Sequence, residues 1–302
     1  MRHGLAVLLI PLMNGCRTTV QEHFQSAIKM VIAKLLFILF ISHGAIAGEL
    51  KASPLYKPNG EVSGHNYVYS GEIKSGDAER FASFIIANKN SIDTINLNSL
   101  GGNVQEAITM GELIKAARLD TMVQPGSTCA SACFFMWING ANRGALLGQS
   151  VKNIKTGQYV TSKIGLHRPY MKMMDNDDKS LSNQTKLMQA VDAYLTTKRI
   201  PRRLIDLMMS RASNDVYWMT GEDYDEIGQS PIDLEELYIS KCDDNRKKLY
   251  SQISISKSNN NTELTELLYS SVGRINDCIN KLNDEARSKF IDEKFSSILK
   301  KR

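Results

Sequence analysis

From residue 64 onward, apolar and polar positions alternate in a way that predicts short strands between helices. Tyr67-Val68-Tyr69 reads as a strand that stops at Ser70-Gly71. Asp77 can cap a helix over Ala78 to Asn88, where Phe81, Phe84, Ile85 and Asn88 recur at helical spacing. Thr94 to Asn98 is a second strand, followed by a turn at Gly101-Gly102. A helix over Val104 to Ala117 carries Val104, Ile108, Gly111, Leu113 and Ile114 on one face, and Asp120 to Val123 is a third strand. Strands separated by helices form βαβ units on a parallel sheet, so the expected class is α/β.

The pattern changes after the turn at Pro125-Gly126. Ala130 to Ile138 is almost wholly apolar, which suits a buried helix, and Gly140 to Gly148 ends it. Residues 149–162 are polar and read as a loop or hairpin. Lys163 to His167 is a strand that stops before Pro169, and 171–182 is an aperiodic surface loop. Helices are expected over 183–199 and 201–212, the second opening with Pro201 at a helix-start position. Val216 to Met219 is extended, and Glu222 to Glu226 is a helical turn closed by Gly228. From 241 there is no proline and one glycine, Gly273, with sparse apolar positions such as Leu249, Ile253, Leu264, Leu268, Ile275, Ile279 and Leu282. That segment, 241–302, reads as a helical hairpin interrupted at Ser258 to Asn261. Residues 64–240 form the main domain, and 48–63, with Pro54, Pro58 and Gly60, read as a linker or irregular arm.

Residues 1–47 are expected to be an N-terminal extension and signal peptide. From Met30, Lys34 precedes an apolar run, Leu35 to Ile41, and small residues end at Ala45-Ile46-Ala47. A positive start, a short apolar core and an A-x-A site predict secretion with cleavage after Ala47, to the periplasm or beyond. The run is short for a membrane span, and an uncleaved anchor is the competing reading. A second apolar run, Leu5 to Met13, leads to Cys16, but Met13-Asn14-Gly15-Cys16 is a poor lipoprotein signal, so Met30 reads as the start.

Composition narrows the class. The 302 residues are 42% hydrophobic, enough for at least one full core. The formal charge of +5 is concentrated at the front: without the four bases and one acid of residues 1–47, 33 bases face 31 acids. Such a body lacks the basic stripe of a nucleic-acid protein, and no nucleic-acid partner is expected. Four cysteines follow Ala47, an even number that permits full pairing in an oxidising compartment. Cys242 and Cys278 both fall in the helical carboxy-terminal segment and are expected to join two antiparallel helices, worth about 3 kcal/mol. Cys129 and Cys133 flank Ser131 and either bridge or pack as free apolar residues.

Two histidines lie beyond residue 47, His65 and His167, so a Ser–His or Cys–His mechanism must use one of them. His65 sits in a polar stretch and reads as a surface residue. His167 ends the strand Ile164-Gly165-Leu166-His167. The carboxyl end of a parallel strand faces the crevice where ligands bind, although a satisfied structural histidine is the alternative. Ser131 opens the apolar helix directly after a turn, where free amides and the helix dipole favour developing negative charge. The Gly101-Gly102 turn opens another helix in the same way. The N–H groups of Gly102 and Ala132 would together make an oxyanion hole, with ordinary turn chemistry as the alternative.

Five blocks in order resemble the ClpP serine-peptidase family: Tyr69-Ser70-Gly71-Glu72-Ile73; Ile95 to Val104 with its Ser99-Leu100-Gly101-Gly102; Cys129-Ala130-Ser131-Ala132; Ile164 to Pro169; and Trp218-Met219-Thr220 through Glu222, Glu226 and Gly228. The resemblance spans about 64–235 and fits best an exported branch whose nucleophile helix carries cysteines. It implies the ClpP/crotonase fold of repeated βαβ units, here with the carboxy-terminal helical hairpin as an appendage. It also implies Ser131 as nucleophile, His167 as general base, and Gly102 and Ala132 as the oxyanion hole. The acid should lie just before Val216-Tyr217-Trp218, which makes Asp215 the candidate and Asn214 its alternative.

There are departures from the family pattern. Leu100 replaces a proline, and a Ser–His separation of 36 residues marks 149–162 as an insertion that forms a lid or blocks the site. The implied function is hydrolysis of peptides or unfolded proteins by acyl transfer. It would be ATP-independent, because the periplasm has no ATP supply and the chain has no Walker-type Gly-x-x-x-x-Gly-Lys motif. No metal, cofactor or ATPase partner is expected, and a homo-oligomer is expected by analogy, since ClpP relatives form rings and crotonases trimers. Two readings compete: an inactive binding or assembly module on the same fold, and a Ser–Lys mechanism like that of signal peptide peptidase A, with Lys163 or Lys155 as base.

Overall fold

A computed structural model describes residues 48–56, 61–154, 156–170, 178–212 and 214–300. The expected signal peptide, the start at Met30, most of the 171–182 loop and Lys155 lie outside them.

The chain runs β1 (Glu49–Tyr56), β2 (Val62–Ser70), α1 (Asp77–Ala87), β3 (Thr94–Asn98), α2 (Val104–Ala117), β4 (Asp120–Val123), β5 (Thr128–Ala130), α3 (Cys133–Trp137) and β6 (Arg143–Ala145). It continues through β7 (Val151–Lys152), β8 (Tyr159–Val160), β9 (Lys163–Leu166), α4 (Asp178–Thr197), α5 (Arg202–Ser210) and β10 (Tyr217–Trp218). Four helices close it: α6 (Gly221–Ile227), α7 (Ile232–Cys242), α8 (Arg246–Ser258) and α9 (Thr262–Leu299).

The architecture is mixed α/β with a helical carboxy-terminal region. The main sheet has the order β1-β2-β3-β4-β6. Its last four strands are parallel, and β2-α1-β3 and β3-α2-β4 are the two anticipated βαβ units. Asp77 is buried as the first residue of α1 rather than as its cap, with Gly76 before it at φ 86°. Its carboxylate accepts from the Lys74 N–H at 2.6 Å and the Tyr69 hydroxyl at 3.0 Å, while Glu106 accepts from the N–H groups of Gly76 and Ala78. Two carboxylates thus meet the positive end of α1, where a helix favours anions. Asn103 caps α2 by accepting from Glu106 N–H. Phe81, Ile85, Ile95, Leu97, Met110, Leu113 and Trp137 are buried between these layers, each worth about 1.5–3 kcal/mol on leaving water.

Four expectations need correction. Residues 49–56 are not a linker: they form β1, antiparallel to β2 in the register Leu50↔Tyr69. Pro54 is tolerated there because β1 is an edge strand. The strands also do not share one sheet, because β5, β9 and β10 form a second one, in the order β10-β9-β5. Ser99 makes the transfer, donating to the Thr128 carbonyl at 2.8 Å and accepting from Ala130 N–H at 3.0 Å. The helix expected from Ala130 starts only at Cys133, since Ala130 pairs with Gly165 and Ser131 breaks the run at φ 55°.

Finally, the carboxy-terminal helices are not an appendage. The hairpin is formed by α8 and α9, with its break at the anticipated asparagines, but the end of α9 returns Ile291 and Phe295 to the main core, each 1% exposed. Arg287 Nε donates to the Ala117 carbonyl and Arg118 to that of Leu282, tying α9 to the end of α2. The expected Cys242–Cys278 disulfide forms, joining the end of α7 to α9. Among the described residues, no helix is long and apolar enough to cross a membrane.

Candidate active site

Ser131 and His167 leave the second sheet at the same end. Strands β5 and β9 are parallel with Ala130 opposite Gly165, and Ser131 N–H donates to the Gly165 carbonyl at 2.9 Å. Ser131 is the first residue past β5 and His167 the first past β9. Neighbouring strands lie about 4.8 Å apart, so the two residues emerge side by side. Gly165 permits this spacing: a Cβ there would lie 2.7 Å from Val216 and 3.1 Å from Ala130 Cβ.

Ser131 is held in the left-handed region, at φ 55°, a conformation that a non-glycine residue adopts only where its surroundings impose it. Two neighbours impose it. The Cys129–Cys133 disulfide brackets the residue, with both sulfurs fully buried, which resolves the open question of this pair in favour of a bridge. Gly101, at φ 100°, presses against the same turn: a Cβ on it would lie 2.7 Å from Ser131 Cβ and 2.8 Å from Ala132 N. Gly102, at φ 140°, lies against Ile73, whose N–H and carbonyl bond Gly101 and Asn103. Among the described residues, neither the Gly102 N–H nor the Ala132 N–H has a hydrogen-bond partner, so two backbone donors stay open beside Ser131.

His167 is buried, 8% exposed, and its ring stands 6.0 Å from that of Tyr170. Its Nδ1 lies 2.9 Å from the Arg168 carbonyl. A carbonyl only accepts, so Nδ1 carries the proton of the neutral ring and Nε2 keeps a lone pair. Among the described residues, Ser131 Oγ makes no side-chain hydrogen bond, and the partner of the imidazole is the Arg168 carbonyl rather than the serine.

Asp215 does not join this pair. Its exposed carboxylate accepts from Arg211 at 3.0 Å, and β10 runs antiparallel to β9 so that Tyr217, not Asp215, stands opposite Leu166. Asn214 is likewise exposed. The group that meets the imidazole is the Arg168 carbonyl, a backbone partner with no residue-type signal in the sequence. Lys163 is also removed: it begins β9, at the far end of that strand from His167, with Nζ 5.8 Å from the centre of the Trp218 ring. The 149–162 insertion is the β7–β8 hairpin, whose base is fastened to residues 126–127 before β5. It rises from the end of the second sheet opposite to Ser131. His65 is exposed, as anticipated. Among the described residues, no group of three His, Cys, Asp or Glu side chains is placed to hold a metal ion.

No protein-family model matches the chain, and no curated protein does. Among solved structures, it resembles ClpP1 from Listeria monocytogenes at 16% identity and a TM-score of 0.38, over 53% of this chain and 85% of that one. A mutant form of the same ClpP1 gives 14% identity and a TM-score of 0.37 over 53% and 85%. A mutant of the 1510-N membrane-bound stomatin-specific protease gives 15% and 0.36 over 52% and 72%.

Proposed function

We propose that the chain is an exported, ClpP-like serine peptidase that cuts peptides or unfolded proteins without ATP. The observation that carries the reading is the pairing of Ser131, at positive φ on its bracketed turn, with the buried imidazole of His167, one residue past each of two adjacent parallel strands. In the proposed mechanism His167 Nε2 takes the Ser131 hydroxyl proton as the alkoxide attacks the peptide carbonyl carbon. The new oxyanion accepts from Gly102 and Ala132 N–H, donors of a kind worth about 10²–10³ in rate each. His167 then gives its proton to the leaving amine, and water, deprotonated by the same nitrogen, releases the acyl group from Ser131. The Arg168 carbonyl takes the orienting part usually given to an acid, and it supports the imidazolium less well than a carboxylate would. We therefore expect a slow enzyme.

Export is supported by the charged, apolar and small-residue order of 30–47 and by two disulfides, which persist in oxidising compartments. A homo-oligomer remains the expected state by family resemblance. The test is turnover of fluorescently quenched casein by the purified protein without nucleotide. Cleavage that disappears in both Ser131→Ala and His167→Ala supports the proposal. Cleavage that survives either substitution refutes it, and absence of cleavage by folded wild type favours the inactive binding or assembly module, for which the exposed, Arg211-bound Asp215 is the specific observation.

A further inference from the structure

Gly48 follows the Ala45-Ile46-Ala47 signal directly, and it is built into the fold. Its N–H donates to the Glu72 carbonyl at 2.7 Å, one residue before β1 begins. A Cβ on Gly48 would lie 1.8 Å from the Tyr69 hydroxyl oxygen, 2.5 Å from the ring carbon that bears it and 2.9 Å from Asp77 Oδ2. No side chain fits there, so the residue after the expected cleavage point has to be glycine. Covalent geometry holds the Gly48 nitrogen about 2.5 Å from that Cβ position. The nitrogen is therefore at most roughly 4.3 Å from the Tyr69 oxygen and roughly 5.4 Å from Asp77 Oδ2.

The groups around this nitrogen are acceptors. Asp77 is 2% exposed, and its ion pair is with Arg80, whose side chain is 59% exposed, so water screens that pair. Tyr69 gives its single proton to Asp77 at 3.0 Å and keeps its lone pairs. Burial, and then the Asp77 charge, push its phenol well above the ordinary value, so it stays neutral. The Glu72 carbonyl, the Tyr69 oxygen and the Asp77 carboxylate thus offer three acceptors. An amide brings one N–H to them, whereas a free ammonium brings three and a positive charge. The same contact leads to the candidate active site. Glu72 precedes Ile73, whose N–H donates to the Gly101 carbonyl at 2.9 Å and whose carbonyl accepts from Asn103 N–H at 2.8 Å. Gly101 in turn packs against Ser131.

We propose that cleavage after Ala47 completes the fold: the new Gly48 ammonium seats on Glu72, Tyr69 and Asp77 and fixes Glu72-Ile73 against the Gly101-Gly102 turn. An endopeptidase that selects small residues hydrolyses the Ala47–Gly48 bond. The oxygen of water joins the Ala47 carbonyl carbon as a carboxylate, and both of its hydrogens go to the Gly48 nitrogen. The cleavage rests on the export reading, and its effect on labelling rests on Ser131 as nucleophile; its effect on stability does not. The test has two parts. Secreted from the full-length precursor, the protein should begin at Gly48 by mass spectrometry, and any other terminus overturns the proposal. The chain beginning at Gly48 is then compared with one that keeps Ala47 before it. The extended chain should have an unfolding constant about tenfold larger in urea titration, the size of one charge-assisted hydrogen bond. It should also react severalfold more slowly with a fluorophosphonate at Ser131. Equal unfolding constants overturn the proposal whether or not Ser131 labels. A stability difference with equal labelling overturns the link to the Ser131 turn. A stability difference with no labelling of either chain supports the seated terminus and counts against the peptidase reading. In Asp77→Asn or, should that variant not fold, in Tyr69→Phe, the difference between the two termini should shrink; an undiminished difference overturns the seat assigned to these side chains.

Discussion

Replacing Gly101 with alanine would put a Cβ 2.7 Å from Ser131 Cβ and 2.8 Å from both the Ala130 carbonyl oxygen and the Ala132 nitrogen. None of these is the tip of a flexible side chain, so relief requires the backbone of the Ser131 turn to move. Two costs add. Alanine at φ 100° costs about 1 kcal/mol in conformation, and the contact costs about 1–3 kcal/mol. Gly101→Ala should therefore lose about 2–4 kcal/mol. Gly126→Ala is the matched control: φ is 88°, but the nearest atom, Val160 Cβ, is 3.9 Å away, so only the conformational cost of about 1 kcal/mol applies. Urea unfolding followed by tryptophan fluorescence gives both values, because Trp137 is fully buried. A Gly101→Ala loss no larger than that of Gly126→Ala would refute the close approach on which the turn is built. In the folded fraction, Gly101→Ala should also lose reactivity at Ser131, which Gly126→Ala should keep.

Three further outcomes follow from the same geometry. Burial raises the Asp120 carboxyl to about 6 against the pull of its hydrogen bonds from Asn142. The folded state thus binds a proton more tightly than the unfolded one, so stability falls as pH rises from about 4 to 6, by at most about 3 kcal/mol. Asp120→Asn should flatten that slope in pH-dependent urea titrations, and an unchanged slope would assign it elsewhere. Removing the bridge at Ser131 with Cys129→Ser and Cys133→Ser together should cost about 2 kcal/mol and slow serine labelling, whereas the Cys242→Ser, Cys278→Ser pair should cost about 3 kcal/mol and leave labelling unchanged; equal labelling in both would show that the bracket does not hold the turn. Asp215→Asn should cost under about 1 kcal/mol, as an exposed pair does. It should slow labelling less than about tenfold, where loss of an orienting acid costs about 10⁴.

The elements that were legible in the sequence are those with a strong period. The α2 span agrees to the residue, and β3 and β4 agree because their apolar runs are bounded by turns. The adjacency of Ser131 and His167 was legible only through the order of the blocks, since 36 residues separate them and the β5–β9 register is a tertiary fact. What was missed lacked a local signal. An edge strand with a proline and polar neighbours reads as a loop, and only one face of β1 has anything to bury. The return of α9 to the core is hard to see in the sequence because charges surround Ile291 and Phe295, although their spacing of four places both on one helical face. The order of the resembling blocks nominated Asp215, but side-chain direction decides the partner of an imidazole, and there the carbonyl of the next residue, Arg168, meets Nδ1 at 2.9 Å.

The most direct test of the central claim is to treat the purified protein with a fluorophosphonate and locate the adduct by peptide mass mapping. A single adduct on Ser131, lost in His167→Ala but retained in Lys163→Ala, is the predicted result. No adduct on the folded, disulfide-intact protein, or an adduct on any other serine, would contradict it.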